Sequence, residues 1–168
     1  MNSLRGFFGV GLCMPRDPAN VGCALRACGC FGASFCVYSG MRYKKHAADT
    51  QRADRHMPLF HAGDAPEDIL LHLPYNCVPV AVELLDDAIP LSGYTHPERA
   101  FYVFGPEDGD IPPAVVAKCD HKIVIPSMFC LNLAAAVNIV LYDRAAKRTP
   151  NRTLFRGGLE VVNNKQTG

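Results

Sequence analysis

Three stretches of this chain place residues in patterns able to do chemistry. In DPANVGCALRACGCFGA, Gly22, Arg26 and Gly29 stand four and three residues apart, a spacing that puts them on one helix face. Glycines beside an arginine let a backbone, a ligand or another helix come close, and the guanidinium offers a fork suited to phosphate. The same residues also describe an exposed arginine with glycines for helix packing. In FYVFGPEDGDIP an apolar run enters a glycine loop carrying Glu107 and Asp108, at the place where open α/β sheets bind ligands. Two acids there oppose an anion, and the G-x-x-x-x-G-K-[ST] pattern is missing, so a neutral or cationic ligand suits the loop. An ordinary turn is the alternative. In IVIPSMFCLNLAAAVNIVLYDR, a strand ends at Pro126 and a helix begins near Cys130-Leu131-Asn132. Ala134, Ala135 and Ala136 permit close helix packing there, and Asn132 and Asn138 require hydrogen-bond partners in an apolar setting.

A fourth stretch, residues 40–58, is polar and locally basic, with Arg42, Lys44, Lys45, Arg52 and Arg55. It fits a solvated surface loop or a phosphate-contacting patch.

Holding these segments in place requires an α/β domain, since short apolar runs alternate with helical periodicity. Strands are expected at 6–13, 34–38, 78–83, 100–104 and 121–125. Asp17-Pro18 is a helix start, an N-cap acid before a first-turn proline, and Val21, Ala24, Leu25 and Cys28 form the apolar stripe that follows. Shorter helices are expected at 66–73 and 112–118. A final helix over 131–147 buries Leu133, Val137, Val140 and Leu141. Residues 1–150 make one domain and 151–168 a loosely docked tail.

The 168 residues, 49% hydrophobic and 20% charged, exclude a disordered chain and suffice for one packed core. A net charge of +1 excludes a global basic field, so any nucleic acid must be held by a local patch. The eight cysteines include no C-x-x-C pair, and six lie in apolar stretches. They read as reduced thiols in a reducing compartment, with a zinc site on the cluster Cys23, Cys28, Cys30 and Cys36 as a rival. Arg5 followed by GFFGVGLCM imitates a signal sequence, but Pro15, Arg16 and Asp17 stand where a cleavage site would need small residues. The uncharged stretch 123–142 is interrupted by Pro126, Ser127, Asn132 and Asn138, which favours strand, turn and helix over a membrane span.

Taken in order, NVGCALRACGCFGA, FGPEDGDIP and IPSMFCLNLAAAVNIVLYDR resemble the three motifs of the SpoU/TrmH-like branch of the SPOUT RNA methyltransferases, over roughly residues 6–147. The length resembles the small TrmL-like members. The resemblance implies a parallel-sheet α/β fold with a C-terminal trefoil knot, a homodimer, S-adenosylmethionine in the knot, no metal, and methylation of ribose 2′-hydroxyls in RNA, with tRNA the expected substrate of a cytoplasmic enzyme.

By motif position, the resemblance gives catalytic roles to Asn20, Arg26, Glu107 and Asn132. It places Val82, Gly105, Ile125, Cys130 and Leu131 around the cofactor; the basic segment is expected against RNA because a near-neutral chain must concentrate its positive charge locally. Arg26 is expected to position phosphate, because a guanidinium with a pKa above about 12 gives up a proton reluctantly, with action as the general base as the alternative. The chain departs from the pattern at Cys130, where serine is usual, in a shortened loop before it, and at Asp110-Ile111, where leucine usually follows the glycine. These departures bear on substrate choice and catalytic power. A non-catalytic knotted RNA-binding protein is the alternative reading.

Overall fold

The computed structural model describes residues 6–40, 57–71 and 73–148. In chain order the elements are β1 (Phe8–Leu12), α1 (Pro18–Phe31), β2 (Phe35–Ser39), β3 (Leu59–Gly63), β4 (Val78–Val82), β5 (Ile89–Pro90), β6 (Ala100–Phe104), α2 (Pro113–Val116), β7 (His121–Val124) and α3 (Leu133–Arg148). The strands form one seven-stranded sheet in the order β3-β2-β1-β6-β4-β7-β5, and every pairing is parallel.

Parallel sheets are covered on both faces, which is why β1 and β6 are continuous apolar runs with all five residues buried. Alternation along β6 divides the core. Ala100, Tyr102 and Phe104 join Val10, Leu12, Val80 and Val82 beneath α1 and α3. Phe101 and Val103 face the other way, with Ala81, Ile69, Ile111 and Val115, beneath α2 and the 3₁₀ turn Pro66–Leu70. Gly9 and Gly11 of β1 serve this second layer. A Cβ on Gly9 would lie 2.3 Å from the Phe35 ring and one on Gly11 2.6 Å from the Phe101 ring, so the glycines make room for a stacked aromatic pair.

The helix α1 begins as its sequence dictates. Asp17 Oδ1 accepts the Ala19 N–H at 2.8 Å, and Gly32, at φ 75°, ends the helix in the left-handed conformation. The expected stripe Val21, Ala24, Leu25 and Cys28 is buried, as are Leu133, Val137, Val140 and Leu141 of α3. Gly22 departs from expectation: it is buried with the stripe, while Arg26 and Gly29 are exposed. Because α1 packs against α3 as well as the sheet, its covered arc is wider than one stripe.

Other expectations are corrected at their ends. The 66–73 helix is a 3₁₀ turn ending at Leu70, the 112–118 helix is the four-residue α2, and the last helix starts at Leu133 because Asn132 caps it. Strands β3 and β5 were not foreseen. Both lie at sheet edges, and β5 is two residues long, too short to leave a periodic signature. Asn132 and Asn138 are exposed rather than set among apolar groups, although both are hydrogen-bonded.

The lower half of α3 is tied to residues 91–99 by a polar network. His96, 6% exposed, faces the Tyr102 hydroxyl through Nδ1 at 2.6 Å and Asp143 through Nε2 at 2.8 Å. Arg144 donates to the Tyr102 oxygen at 3.0 Å and to the carbonyls of Pro97 and Glu98, with its guanidinium over the Phe8 ring. One assignment satisfies all of them: Arg144 donates to Tyr102, Tyr102 donates to His96, and His96 donates to Asp143. Burial pushes the Tyr102 hydroxyl up to about 12, which keeps it a donor.

Candidate functional site

At the carboxyl ends of β4, β6 and β7 the sheet opens into a cavity of about 300 Å³, the lower end of the size range of small-molecule sites. Its walls come from three places far apart in the chain: Val82, Glu83 and Leu84 at the end of β4, the loop from Gly105 to Asp110 after β6, and Ile125, Ser127, Cys130 and Leu131 after β7, continued by Leu133 and Ala136 of α3. All five residues expected around a cofactor, Val82, Gly105, Ile125, Cys130 and Leu131, line this one space. Each lies at or beyond the end of a neighbouring parallel strand, so the register that aligns the strand ends also brings them together. Four carboxylates, Glu83, Glu107, Asp108 and Asp110, stand among the described lining residues, and no basic side chain does. The chemistry suits a cationic or neutral ligand and opposes an anionic one.

At Gly105 the wall is backbone alone. A Cβ there would meet the Ile111 nitrogen at 3.0 Å and the Asp110 carbonyl carbon at 3.3 Å, so the loop folds back against a bare backbone.

Three of the four residues expected to be catalytic meet at the rim. Asn20, in the first turn of α1, donates through Nδ2 to Glu107 Oε1 at 2.9 Å. The Asn132 Nδ2 donates in turn to Asn20 Oδ1 at 2.8 Å. Asn132 Oδ1 accepts from the backbone N–H groups of Ala134 and Ala135, capping α3. Glu107 also accepts from the N–H groups of Arg16 and Asp17 at 2.8 and 3.2 Å, and the Arg16 side chain pairs with Asp108. Partial burial works to raise the Glu107 carboxyl, but these hydrogen bonds from Asn20 and the backbone outweigh it and hold the group below the usual carboxylate range.

Arg26 lies elsewhere. It is exposed on α1, six residues and about 9 Å of helix rise beyond Asn20, and it does not line the cavity. Among the described residues, a Cβ on Gly29 of the same face would touch nothing within 4 Å. Arg42, Lys44, Lys45, Arg52 and Arg55, expected to contact RNA, lie outside the described residues.

The sequence reading missed Glu83 and the exposed Met128 and Phe129 beside the cavity loop. An acid ending the apolar run VPVAV was the available signal for Glu83. All eight cysteines are free of disulfides, and no three His, Cys, Asp or Glu side chains among the described residues are grouped to hold a metal ion. No helix among the described residues is long and apolar enough to cross a membrane.

A family model described as SpoU rRNA Methylase matches residues 8–142, which carry β1, the cavity and the Asn20–Glu107–Asn132 chain. The chain belongs to the SpoU rRNA Methylase family. Solved structures share its fold. That of the A. aeolicus TrmH/SpoU tRNA modifying enzyme is 23% identical with a TM-score of 0.75, over 86% of this chain and 78% of that one. The SpoU methyltransferase AviRb from Streptomyces viridochromogenes, in complex with the cofactor AdoMet, is 20% identical with a TM-score of 0.75, over 88% of this chain. This SpoU-family chain spans only 60% of AviRb. A structure described by the 2-OH methylation of C/U34 on tRNA is 22% identical with a TM-score of 0.70, over 86% of this chain and 97% of that one. No curated protein is a significant match.

Proposed function

We propose that this SpoU-family protein is an S-adenosylmethionine-dependent RNA ribose 2′-O-methyltransferase acting on tRNA in the cytoplasm, as a homodimer. The observation that carries the reading is the cavity itself: residues of the second and third motifs line it, it is acidic, and the Asn20–Glu107–Asn132 chain closes its rim. A cationic nucleoside fits walls that present carboxylates and bare backbone, with Val82, Gly105, Ile125, Cys130 and Leu131 holding it. When bound, S-adenosylmethionine supplies an electrophilic methyl group on a positively charged sulfur.

The protein's own part is placement. Glu107 is engaged by Asn20 and two backbone N–H groups, so its role is to fix Asn20 and Asn132 rather than to take a proton. Exposed on α1, Arg26 presents a fork to the RNA phosphate beside the target ribose, orienting the 2′-oxygen for in-line attack. The basic segment with Arg42, Lys44, Lys45, Arg52 and Arg55 adds phosphate contacts, since the chain as a whole is close to neutral. A second protomer is expected against α3, where Ile139 and Tyr142 are exposed. Threading of the chain after β7 as a trefoil is supported by the register: Val82 and Ile89, on either side of β7, both pair with Ile123, so the 83–88 connection spans that strand.

The test is to incubate the protein with S-adenosylmethionine and total tRNA and to map the product by mass spectrometry. A methyl on one ribose, absent without protein, is expected. RNA binding without any methyl transfer would instead favour the non-catalytic reading.

A further inference from the structure

Glu83 immediately follows β4 and faces the cavity, yet none of the family motifs quoted above contains it. Its backbone and side chain join all three walls. The Glu83 N–H donates to the Ile123 carbonyl of β7 at 3.0 Å. Its Oε1 accepts from the Leu84 N–H at 2.8 Å, and its Oε2 accepts from the Ile111 N–H at 2.9 Å, across 28 residues of sequence. Ile111 is 2% exposed and anchors the end of the acidic loop in the core. The Ile111 nitrogen is also the atom that a Cβ on Gly105 would meet at 3.0 Å, so the loop closes where Gly105, Ile111 and the Glu83 carboxylate converge. At its middle the same loop is gripped by α1 through Glu107.

We propose that Glu83 is a positioning residue, whose carboxylate clamps the Gly105–Ile111 loop in the shape that receives the cofactor. The inference rests on the cofactor reading above. A hydrogen bond accepted by a carboxylate is shorter and stronger than a neutral one, which suits a clamp whose side chain stands partly in solvent. The loop also carries Glu107, so its shape reaches Asn20 and Asn132 as well as the cavity wall. Glu83 thus acts first as an acceptor for Ile111, while its charge is one of the four that make the cavity acidic.

The experiment compares wild type with Glu83→Gln and Glu83→Ala, by titration calorimetry with S-adenosylmethionine and with S-adenosylhomocysteine, and by amide hydrogen exchange at Ile111 in the free protein. In Glu83→Gln the single carboxamide oxygen can still accept from Ile111 while the N–H of exposed Leu84 turns to water, so this variant should bind both ligands within about threefold of wild type. Glu83→Ala should lose about tenfold or more for both and exchange faster at Ile111. Glu83→Met, of similar length without the acceptor, replaces Glu83→Ala if that variant fails to fold. Wild-type binding by the alanine variant, unchanged exchange at Ile111, or an equal loss in Glu83→Gln would each overturn the clamp. Should the wild type bind neither ligand, the cofactor reading falls, and exchange at Ile111 alone then decides the clamp.

Discussion

Asn20 donates its amide to the carboxylate of Glu107 at 2.9 Å, joining the start of α1 to the loop after β6 across 87 residues of sequence. The Asn20 oxygen is thereby turned toward Asn132, whose own oxygen caps α3. Glu107→Gln cannot keep this arrangement, because one carboxamide oxygen replaces two acceptors that serve Arg16, Asp17 and Asn20. Methyl transfer should fall by about tenfold or more with the fold retained. The Glu107 carboxyl is held below its ordinary 4.5, so the stability it contributes is present above that pH and lost as pH falls through the lowered folded value. Thermal melts between pH 5 and pH 3 should therefore lose less stability in Glu107→Gln than in wild type.

Gly105→Val tests the cavity wall. The new side chain would press on the Ile111 nitrogen and the Asp110 carbonyl carbon, both backbone atoms of a loop held at two points. Affinity for S-adenosylmethionine should drop by about tenfold or more, read by calorimetry on protein whose melting confirms a fold. Undiminished affinity would place the cofactor elsewhere.

Arg26→Lys keeps a positive charge and loses the planar fork. Since Arg26 is exposed and outside the cavity lining, folding and cofactor binding should be unchanged. Single-turnover methylation should fall on the order of 10²-fold, the cost of misplacing a reacting atom by about 1 Å. A lysine variant of near-normal rate would remove Arg26 from the reaction.

His96 predicts a pH dependence of stability. Burial lowers its pKa, and Arg144 and Lys147 add to that, against the opposing hydrogen bond and charge of Asp143. The unfolded histidine titrates near 6.5, so as pH falls below that value the unfolded chain takes up a proton before the folded one does. The His96 contribution should be flat above about pH 7 and decline from pH 6.5 downward until the folded His96 protonates too. His96→Asn should be less stable at pH 7.5, having lost contacts to Tyr102 and Asp143, but its decline between pH 7 and pH 5.5 should be shallower. Equal slopes in thermal melts would exclude His96 as the source.

How much of this was legible depends on how far apart in the chain the cause lies. Burial on both faces makes β1, β4 and β6 nearly unbroken apolar runs, and Asp17-Pro18 states the start of α1 in two adjacent residues. The helical stripes were equally local, so the sequence alone determined an α/β domain and, through the resemblance of its ordered motifs, the parallel sheet and the cavity residues Val82, Gly105, Ile125, Cys130 and Leu131. Edge strands gave no such signal, since β3 is partly exposed and β5 pairs through two residues. Only the tertiary structure decided what each acid does. Glu83 and Glu107 are alike in sequence, each a glutamate just beyond a buried strand, yet one holds Ile111 and the other holds Asn20. It also separated Arg26 from the three other motif residues, placing it on an exposed helix face. The reason is physical: apolar burial follows the local period of a strand or helix, whereas a carboxylate takes whichever N–H the strand order brings within 3 Å of it.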